Sequence, residues 1–373
     1  MHEHLRFIGL HGRDDRRMPE GVARWVAAVG VIAFVTLLLV GATASQAGVA
    51  RRTGMIAFVR SPTGFVSPDL SLFVIRADGS GLRSLTPTDS DVASYEWSPD
   101  GSRIAYLDSR GALWLVRPDG TGRELLAASS PSRFPWKLSW SPDGKAIAVL
   151  VRDPAAGPPR CANCFSDLRI SVIPTDGRRP RRLPSGDAFD PAWSPRGDEI
   201  AYATPFGVIM AVRSDGRGRP RVVTRGTPGC FGPAWSADGE RLASACGDNH
   251  GRYAYIDVVN ANGSSRRRLT KHAYNEFGFA WSPDGLSILY GRKNREGIYV
   301  IGVDGRKDHK VTSDSPAQII WGALTWAADG RAIAYTTDRT GGGDLYVIGA
   351  DGRNKLQLTR SLDADVDPSW SPG

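Results

Sequence analysis

Catalytic signatures are what this chain of 373 residues most lacks. It contains no G-x-S-x-G, which excludes the nucleophile elbow of an α/β-hydrolase domain. Neither a G-x-x-x-x-G-K-[ST] phosphate loop nor an H-E-x-x-H zinc helix is present. Histidine is scarce: of six, three lie in the first eleven residues, leaving His250, His272 and His309 for any general acid–base role. Only four cysteines occur, too few for a disulfide-built scaffold. Long uncharged runs are also few, and the one that stands out is Trp25 to Ala44, 20 residues without a charge.

What the chain has in abundance is one repeated sentence. It reads W-S-P-D-G, then I-A-Y, an apolar run, D-G, a basic cluster and L-T. Its tryptophans are Trp97, Trp140, Trp193, Trp235, Trp281, Trp326 and Trp370, at intervals of 43, 53, 42, 46, 45 and 44 residues. A period of this size marks a solenoid, propeller or array. The copy from Trp281 to Thr312 shows the unit. Phe279-Ala280-Trp281 is stopped by Ser282-Pro283-Asp284-Gly285, where Ser, Pro and Gly suit a type I turn, and a three-residue loop ending in glycine returns the chain as a hairpin. Ile288-Leu289-Tyr290 is the second strand and Ile298 to Ile301 the third, β-branched and aromatic. Asp304-Gly305 signals a two-residue hairpin into a fourth strand through Lys310-Val311-Thr312. Each unit is therefore four antiparallel strands, a to d.

Strand b recurs seven times, beginning at Ile56, Ile104, Ile147, Ile200, Leu242, Ile288 and Ile333. The first copy lacks a preceding W-S-P-D-G, and the last W-S-P, at Trp370, is followed only by Gly373. These fragments complement each other. The expected fold is all-β: a seven-bladed β-propeller of four-stranded antiparallel blades over residues 52–373, closed by a C-terminal strand a. Closure of this kind pairs both terminal edges.

The repeats resemble the PD40 (WD40-like) propeller repeats of the TolB family, also found in prolyl-oligopeptidase-like propellers. The resemblance covers about residues 54–373, with departures at Trp326-Ala327-Ala328-Asp329-Gly330 and Pro195-Arg196-Gly197 that keep the turn glycine. It implies a propeller and a docking role. TolB itself has an additional α/β domain and six blades, so its role in a Gram-negative envelope is not implied.

Residues 1–24 read as a cytoplasmic or n-region tail rich in arginine, and 25–47 as a signal peptide or a single transmembrane anchor. Arginines before the apolar run outnumber those just after it, which favours an outside propeller. Ala42-Thr43-Ala44 and Ser45-Gln46-Ala47 both suit cleavage, and Met18 is an alternative start. The expected location is extracytoplasmic, secreted or anchored. Cysteine usage agrees: with Ser236 opposite Glu240 across the loop Ala237-Asp238-Gly239, Cys230 falls opposite Cys246, close enough to bridge. Cys161 and Cys164, in the longest insertion, lack the second ligand pair of a zinc site and are expected to staple that loop.

The net charge is +8 with pI near 9.5. Arginines cluster after the D-G turns: Arg178 to Arg182, Arg217 to Arg221, Arg266 to Arg268, and Arg306-Lys307. Protection of outer strand edges is favoured over a belt for anionic envelope polymers, since the clusters recur with the fold. Nucleic acid is not an expected partner, and the chain reads as a monomer.

The a–b and c–d turns share one face and are short and uniform. The b–c and d–a loops share the other and vary, so function is expected there. Its candidate partner-binding residues are Phe65, Trp136, Phe165, Tyr274, Glu276 and Trp321, with Phe189 nearby; wedging between blades is the competing role for each. Asp363, Asp365 and Asp367 alternate, as carboxylates around a channel cation would, but a solvated turn opened by Asp367-Pro368 is favoured, and no cofactor is expected. The leading expectation is a non-catalytic module docking a protein or peptide. The alternatives are a propeller lyase or hydrolase using His250 or His272 with channel carboxylates, and a basic surface module.

Overall fold

A strand buried on both faces reads as a continuous apolar run rather than an alternation, and that is how the I-A-Y strands behave. The computed structural model describes residues 54–62, 69–88, 90–129, 133–152, 167–224, 229–247, 254–270, 276–292, 297–314, 324–337 and 343–373. Among them are seven four-stranded antiparallel sheets and no helix. These are the blades of a seven-bladed propeller. Expectations for residues 1–47 lie outside the described residues.

The first blade is ordered Ala364–Trp370, Met55–Ser61, Ser71–Arg76, Arg83–Ser84. The C-terminal strand is thus its innermost, with Ile56 opposite Trp370 and Val59 opposite Val366. The ring closes across the chain ends, as the truncated repeats implied.

The tripeptide I-A-Y encodes the packing between blades. Ile104 and Tyr106 of the second blade meet Ala57 and Val59 of the first. Ala105 and Leu107, on the opposite side of that strand, meet Ile147 and Val149 of the third. Ile200 and Tyr202 of the fourth blade meet Ala148 of the third. Ile56 and Phe58 meet Ala334 of the seventh. Each interface sets large side chains against a small one, so neighbouring sheets interdigitate at interior density. The repeated tryptophan staples the same interfaces. Its indole N–H donates to the backbone carbonyl one residue before the preceding blade's tryptophan: Trp97 to Ser369, Trp140 to Glu96, Trp235 to Ala192, Trp281 to Ala234 and Trp326 to Ala280, at 3.0–3.3 Å. Trp193 instead bonds Gly197 in its own turn.

The turns are one residue longer than the sequence suggests. Ser98 N donates to Arg103 O, enclosing four residues rather than three. The extra length is held by side chains. Ser98 Oγ donates to Asp100 at 2.6 Å and accepts from Arg103 N, while Asp100 accepts from Ser102 N. These bonds, that from Ser98 foremost, hold the Asp100 carboxyl down at about 2. The D-G turns enclose three residues rather than two: Arg76 N reaches Ser80 O, and Asp78 accepts from Ser80. The recurring Ser and Asp residues are turn locks.

The longer turn alters the register behind the disulfide. In the fifth blade Trp235 pairs with Leu242, and an uninterrupted ladder would bring Cys230 opposite Gly247. The extra residue is absorbed by a bulge at Gly232-Pro233, with Gly232 at φ 59° and a proline that has no N–H to donate. Cys230 therefore does face Cys246, and the two are disulfide-bonded. In the loop-entropy model a bridge of this span is worth ~3 kcal/mol. Two compensating departures from the expected register produced the expected pair. Cys161 and Cys164 lie outside the described residues.

Outer strands are short: Arg181–Arg182, Arg221–Val222 and Arg267–Arg268 have two residues each. Their arginines bridge blades, Arg83 donating to Asp119 O, Arg181 to Ser214 O and Arg267 to Asp304 O on the next blade's turn. Others stack on the third strand's aromatics. The Arg268 guanidinium lies 3.4 Å from the Tyr255 ring centre, and Arg123 4.1 Å from that of Trp114. These basic residues have structural employment in the blade edges, and the aromatics they meet come from the adjacent strand rather than from their own segments.

Candidate functional site

Seven inner strands surround a propeller's channel: Ala364–Trp370, Val92–Trp97, Arg133–Trp140, Phe189–Trp193, Cys230–Trp235, Glu276–Trp281 and Leu324–Trp326. Aligned on their tryptophans, they show where the repeat stops being uniform. One residue before the tryptophan stand Ser369, Ser139, Ala192, Ala234, Ala280 and Thr325, all small, but in the second blade Glu96. Three residues before it stand Ser94, Gly232 and Gly278, but also Lys137, Asp190 and Asp367. At these two positions charge is therefore confined to four consecutive blades, the first to the fourth. The fifth and sixth offer Gly232, Ala234, Gly278 and Ala280.

The charged residues are mutually placed. Glu96 accepts a hydrogen bond from Trp140 N at 3.2 Å, reaching toward the third blade. Tyr95, its neighbour, reaches the other way and donates to the Asp367 carbonyl, with Ala57 O 3.1 Å away. Asp190 accepts from Gly232 N at 3.1 Å. Glu96, Lys137 and Asp367 are half-buried on the inner strands of their blades. Burial pushes the carboxyls of Glu96 and Asp367 up to about 7 each, against the pull of Lys137 on both. Two acids that titrate near neutrality around one ammonium form a site able to exchange protons or to meet a charged ligand.

The titration has a consequence for stability. A carboxyl raised in the folded state contributes stability that is complete below the unfolded value near 4 and is lost as pH rises through 7. Allowing for solvent in the channel, each group is worth on the order of 1–2 kcal/mol. Between pH 5 and 8 the wild-type melting temperature should fall relative to Glu96→Gln/Asp367→Asn, whose profile should be flatter. Parallel profiles from differential scanning calorimetry would contradict the assignment.

The closing strand also corrects the reading of its acids. Asp367-Pro368 does not open a solvated turn. It forms a bulge inside Ala364–Trp370, with Asp367 at φ 56°, matching the bulge at Asp190-Pro191, φ 49°. Nor do the three carboxylates share one role. Asp365 is fully buried and holds Arg60 through two bonds, Nε at 2.6 Å and Nη2 at 2.9 Å. Asp363 precedes the strand.

Of the residues nominated for partner binding, Phe65, Phe165, Tyr274 and Trp321 lie outside the described residues, as do His250 and His272. Trp136 is described only in its backbone, within the bulge between Phe134 and Leu138, and Glu276 likewise, opposite Arg292. Phe189 is a wedge, packed in the clusters on both sides of the fourth blade. The sequence reading missed Glu96 and Lys137. The signal was available: aligning the repeats on their tryptophans shows Glu96 as the one acid in a column of Ser, Ala and Thr.

The family model described as TolB beta propeller domain, PD40, matches residues 161–320. The stretch it matches is similar to TolB-type PD40 repeats. Among curated proteins, the chain is 30% identical over 156 residues to the Tol-Pal system protein TolB of Bordetella pertussis, covering 41% of this chain and 35% of that one. It is 28% identical over 149 residues to the uncharacterized peptidase YuxL of Bacillus subtilis, covering 40% and 21%. The chain spans well under half the length of the curated relatives it matches. Among solved structures, an oligogalacturonate lyase in complex with manganese superposes with a TM-score of 0.61 at 14% identity, covering 74% of this chain and 82% of that one. That likeness is one of fold.

Proposed function

We propose that the PD40 propeller is a non-catalytic extracytoplasmic docking module that takes a protein or peptide partner at its long-loop face and channel mouth. The observation that carries the reading is the one-sided channel wall: Glu96, Lys137, Asp190 and Asp367 break a repeat whose other prominent residues are turn locks and staples. The similarity to TolB supports it, and the Cys230–Cys246 disulfide suits an oxidising compartment. On this reading Trp136 and Trp321 are aromatic anchors of the loop face, joined by Phe65, Phe165, Tyr274 and Glu276.

A second reading draws on the same wall. Carboxyls poised at about 7 beside a lysine are what general acid–base chemistry uses, and a lyase and a named peptidase share this architecture or sequence similarity. One experiment separates the two readings. Envelope extracts are passed over wild type, Trp136→Ala/Trp321→Ala and Glu96→Gln/Lys137→Ala. A partner kept at high salt by wild type and lost by both variants is the expected result. A partner lost with salt and indifferent to the variants favours the basic edges instead. Turnover of oligogalacturonate or peptides by wild type that disappears in Glu96→Gln, His250→Ala or His272→Ala would overturn the non-catalytic reading.

A further inference from the structure

The disulfide end of the fifth blade holds more than a covalent staple. Cys246 lies on Arg241–Gly247 two residues from Ser244, and Ser244 faces Asp257 on the neighbouring strand Ala254–Asn260. The two-residue period of strands puts Cys246, Ser244 and Asp257 on one side of the sheet, with Cys230 across the ladder. The two sulfurs and a carboxylate oxygen of Asp257 lie within 4.8 Å of one another, and all three residues are buried. In a tetrahedral zinc site such donors stand about 3.6–3.8 Å apart, a separation that side-chain rotation supplies once the sulfurs are unbonded. Ser244 Oγ, 3.5 Å from Cys246 Sγ, adds a neutral oxygen.

Charge complementarity points the same way. Arg266 directs two of its nitrogens to a single carboxylate oxygen of Asp257, Oδ2. Two thiolates and one carboxylate carry three negative charges; a divalent cation and the Arg266 guanidinium carry three positive ones. Net neutrality matters where burial makes an uncompensated charge costly. The other nearby cation, Arg268, is stacked on Tyr255. Access is short, because Cys230 is the first residue of its strand and Cys246 the last but one of its own.

We propose that reduction of the Cys230–Cys246 bond turns this end of the blade into a binding site for a thiophilic divalent cation, Zn2+ or Co2+, held by both cysteine thiolates and the Asp257 carboxylate. The disulfide and the metal are then alternative staples for the same two strands. The chemistry balances. A phosphine and one water reduce the disulfide, giving the phosphine oxide and two thiols. The incoming cation displaces both thiol protons to solvent.

The test uses the full chain carrying Cys161→Ser/Cys164→Ser, so that no other thiol contributes. After phosphine reduction, Co2+ is titrated and the sulfur-to-cobalt charge-transfer absorption is followed, with far-ultraviolet circular dichroism in parallel. The expected result is one equivalent bound by reduced protein, none by oxidised protein, loss of the band in Cys246→Ser, and at least about tenfold weaker binding in Asp257→Asn, which removes one of the three anionic ligands. A reduced protein that keeps its sheet spectrum without the band overturns the proposal. So does a band indifferent to Asp257→Asn, and so does a reduced protein that loses its sheet spectrum and does not regain it with Zn2+.

Discussion

A chain ending at Asp365 should lose most of its cooperative melting transition. The eight residues removed include Trp370, packed in the cluster between the first and seventh blades. They also supply the inner-strand partners of Ile56, Ala57 and Val59. The carbonyls of Ser369 and Asp367, which accept from the Trp97 indole and the Tyr95 hydroxyl, go with them. Burying a tryptophan is by itself worth ~3–5 kcal/mol, and the lost ladder adds to it. The total approaches the stability of an ordinary domain. Thermal denaturation followed by circular dichroism decides the matter: a truncated chain with unchanged midpoint and cooperativity means that the ring does not depend on its C-terminal strand. Trp370→Ala should show an intermediate loss.

Asp365→Ala should cost ~3–5 kcal/mol, more than an ordinary surface ion pair by several-fold. Asp365 has no exposed surface, and its two bonds to Arg60 run between the closing strand and the strand beside it. Arg60 also lies over the Phe73 ring, its guanidinium carbon 4.7 Å from the ring centre. Removing the carboxylate leaves the Arg60 cation without its hydrogen-bonded counter-charge, with Asp363 and Asp344 acting on it only through longer-range attraction. Burial pushes the Asp365 carboxyl up while Arg60 pulls it down, so the pair is best probed by double substitution. Chemical denaturation of Asp365→Ala, Arg60→Met and the double variant should give strong non-additivity, with the double variant recovering part of the loss. Additive losses would show that the two residues act separately.

These two effects belong to one seam, the first blade's join with the chain's end, and the acid-rich wall begins there. Asp367 sits in the bulge of the same strand that Asp365 anchors. The closing strand therefore sets both the integrity of the ring and the position of one channel carboxyl. A docking role and a hydrolytic one would both depend on it, which is why the stability variants need to be read before the functional ones.

Much of the architecture was legible in the residues. The seven I-A-Y strands declared the blade count, and the unmatched ends at Met55 and Trp370 declared the closure, because each truncated unit left strand edges that only the other could satisfy. The large–small–large order of Ile, Ala and Tyr is itself a packing code, read by the neighbouring blades on either side. Local turn chemistry was less legible. A Ser that locks its Asp adds a residue to the loop, and nothing in W-S-P-D-G states whether the ladder resumes after three residues or four. That single residue shifts the register along the whole hairpin, and a bulge at Gly232-Pro233 shifts it back. Cys230 meets Cys246 only because both occur.

Only the tertiary structure decided what the acids do. Asp363, Asp365 and Asp367 look equivalent by spacing, yet a bulge at Asp367 breaks their alternation and a half-buried Arg60 from the first blade's second strand claims Asp365. Glu96 and Lys137 stand 41 residues apart in sequence, and Asp367 is 230 beyond Lys137. They become one site because ring closure puts the first blade beside the second, and burial in the channel then raises both carboxyls together. A sequence records which residues repeat; the closed ring determines which exceptions to the repeat face one another.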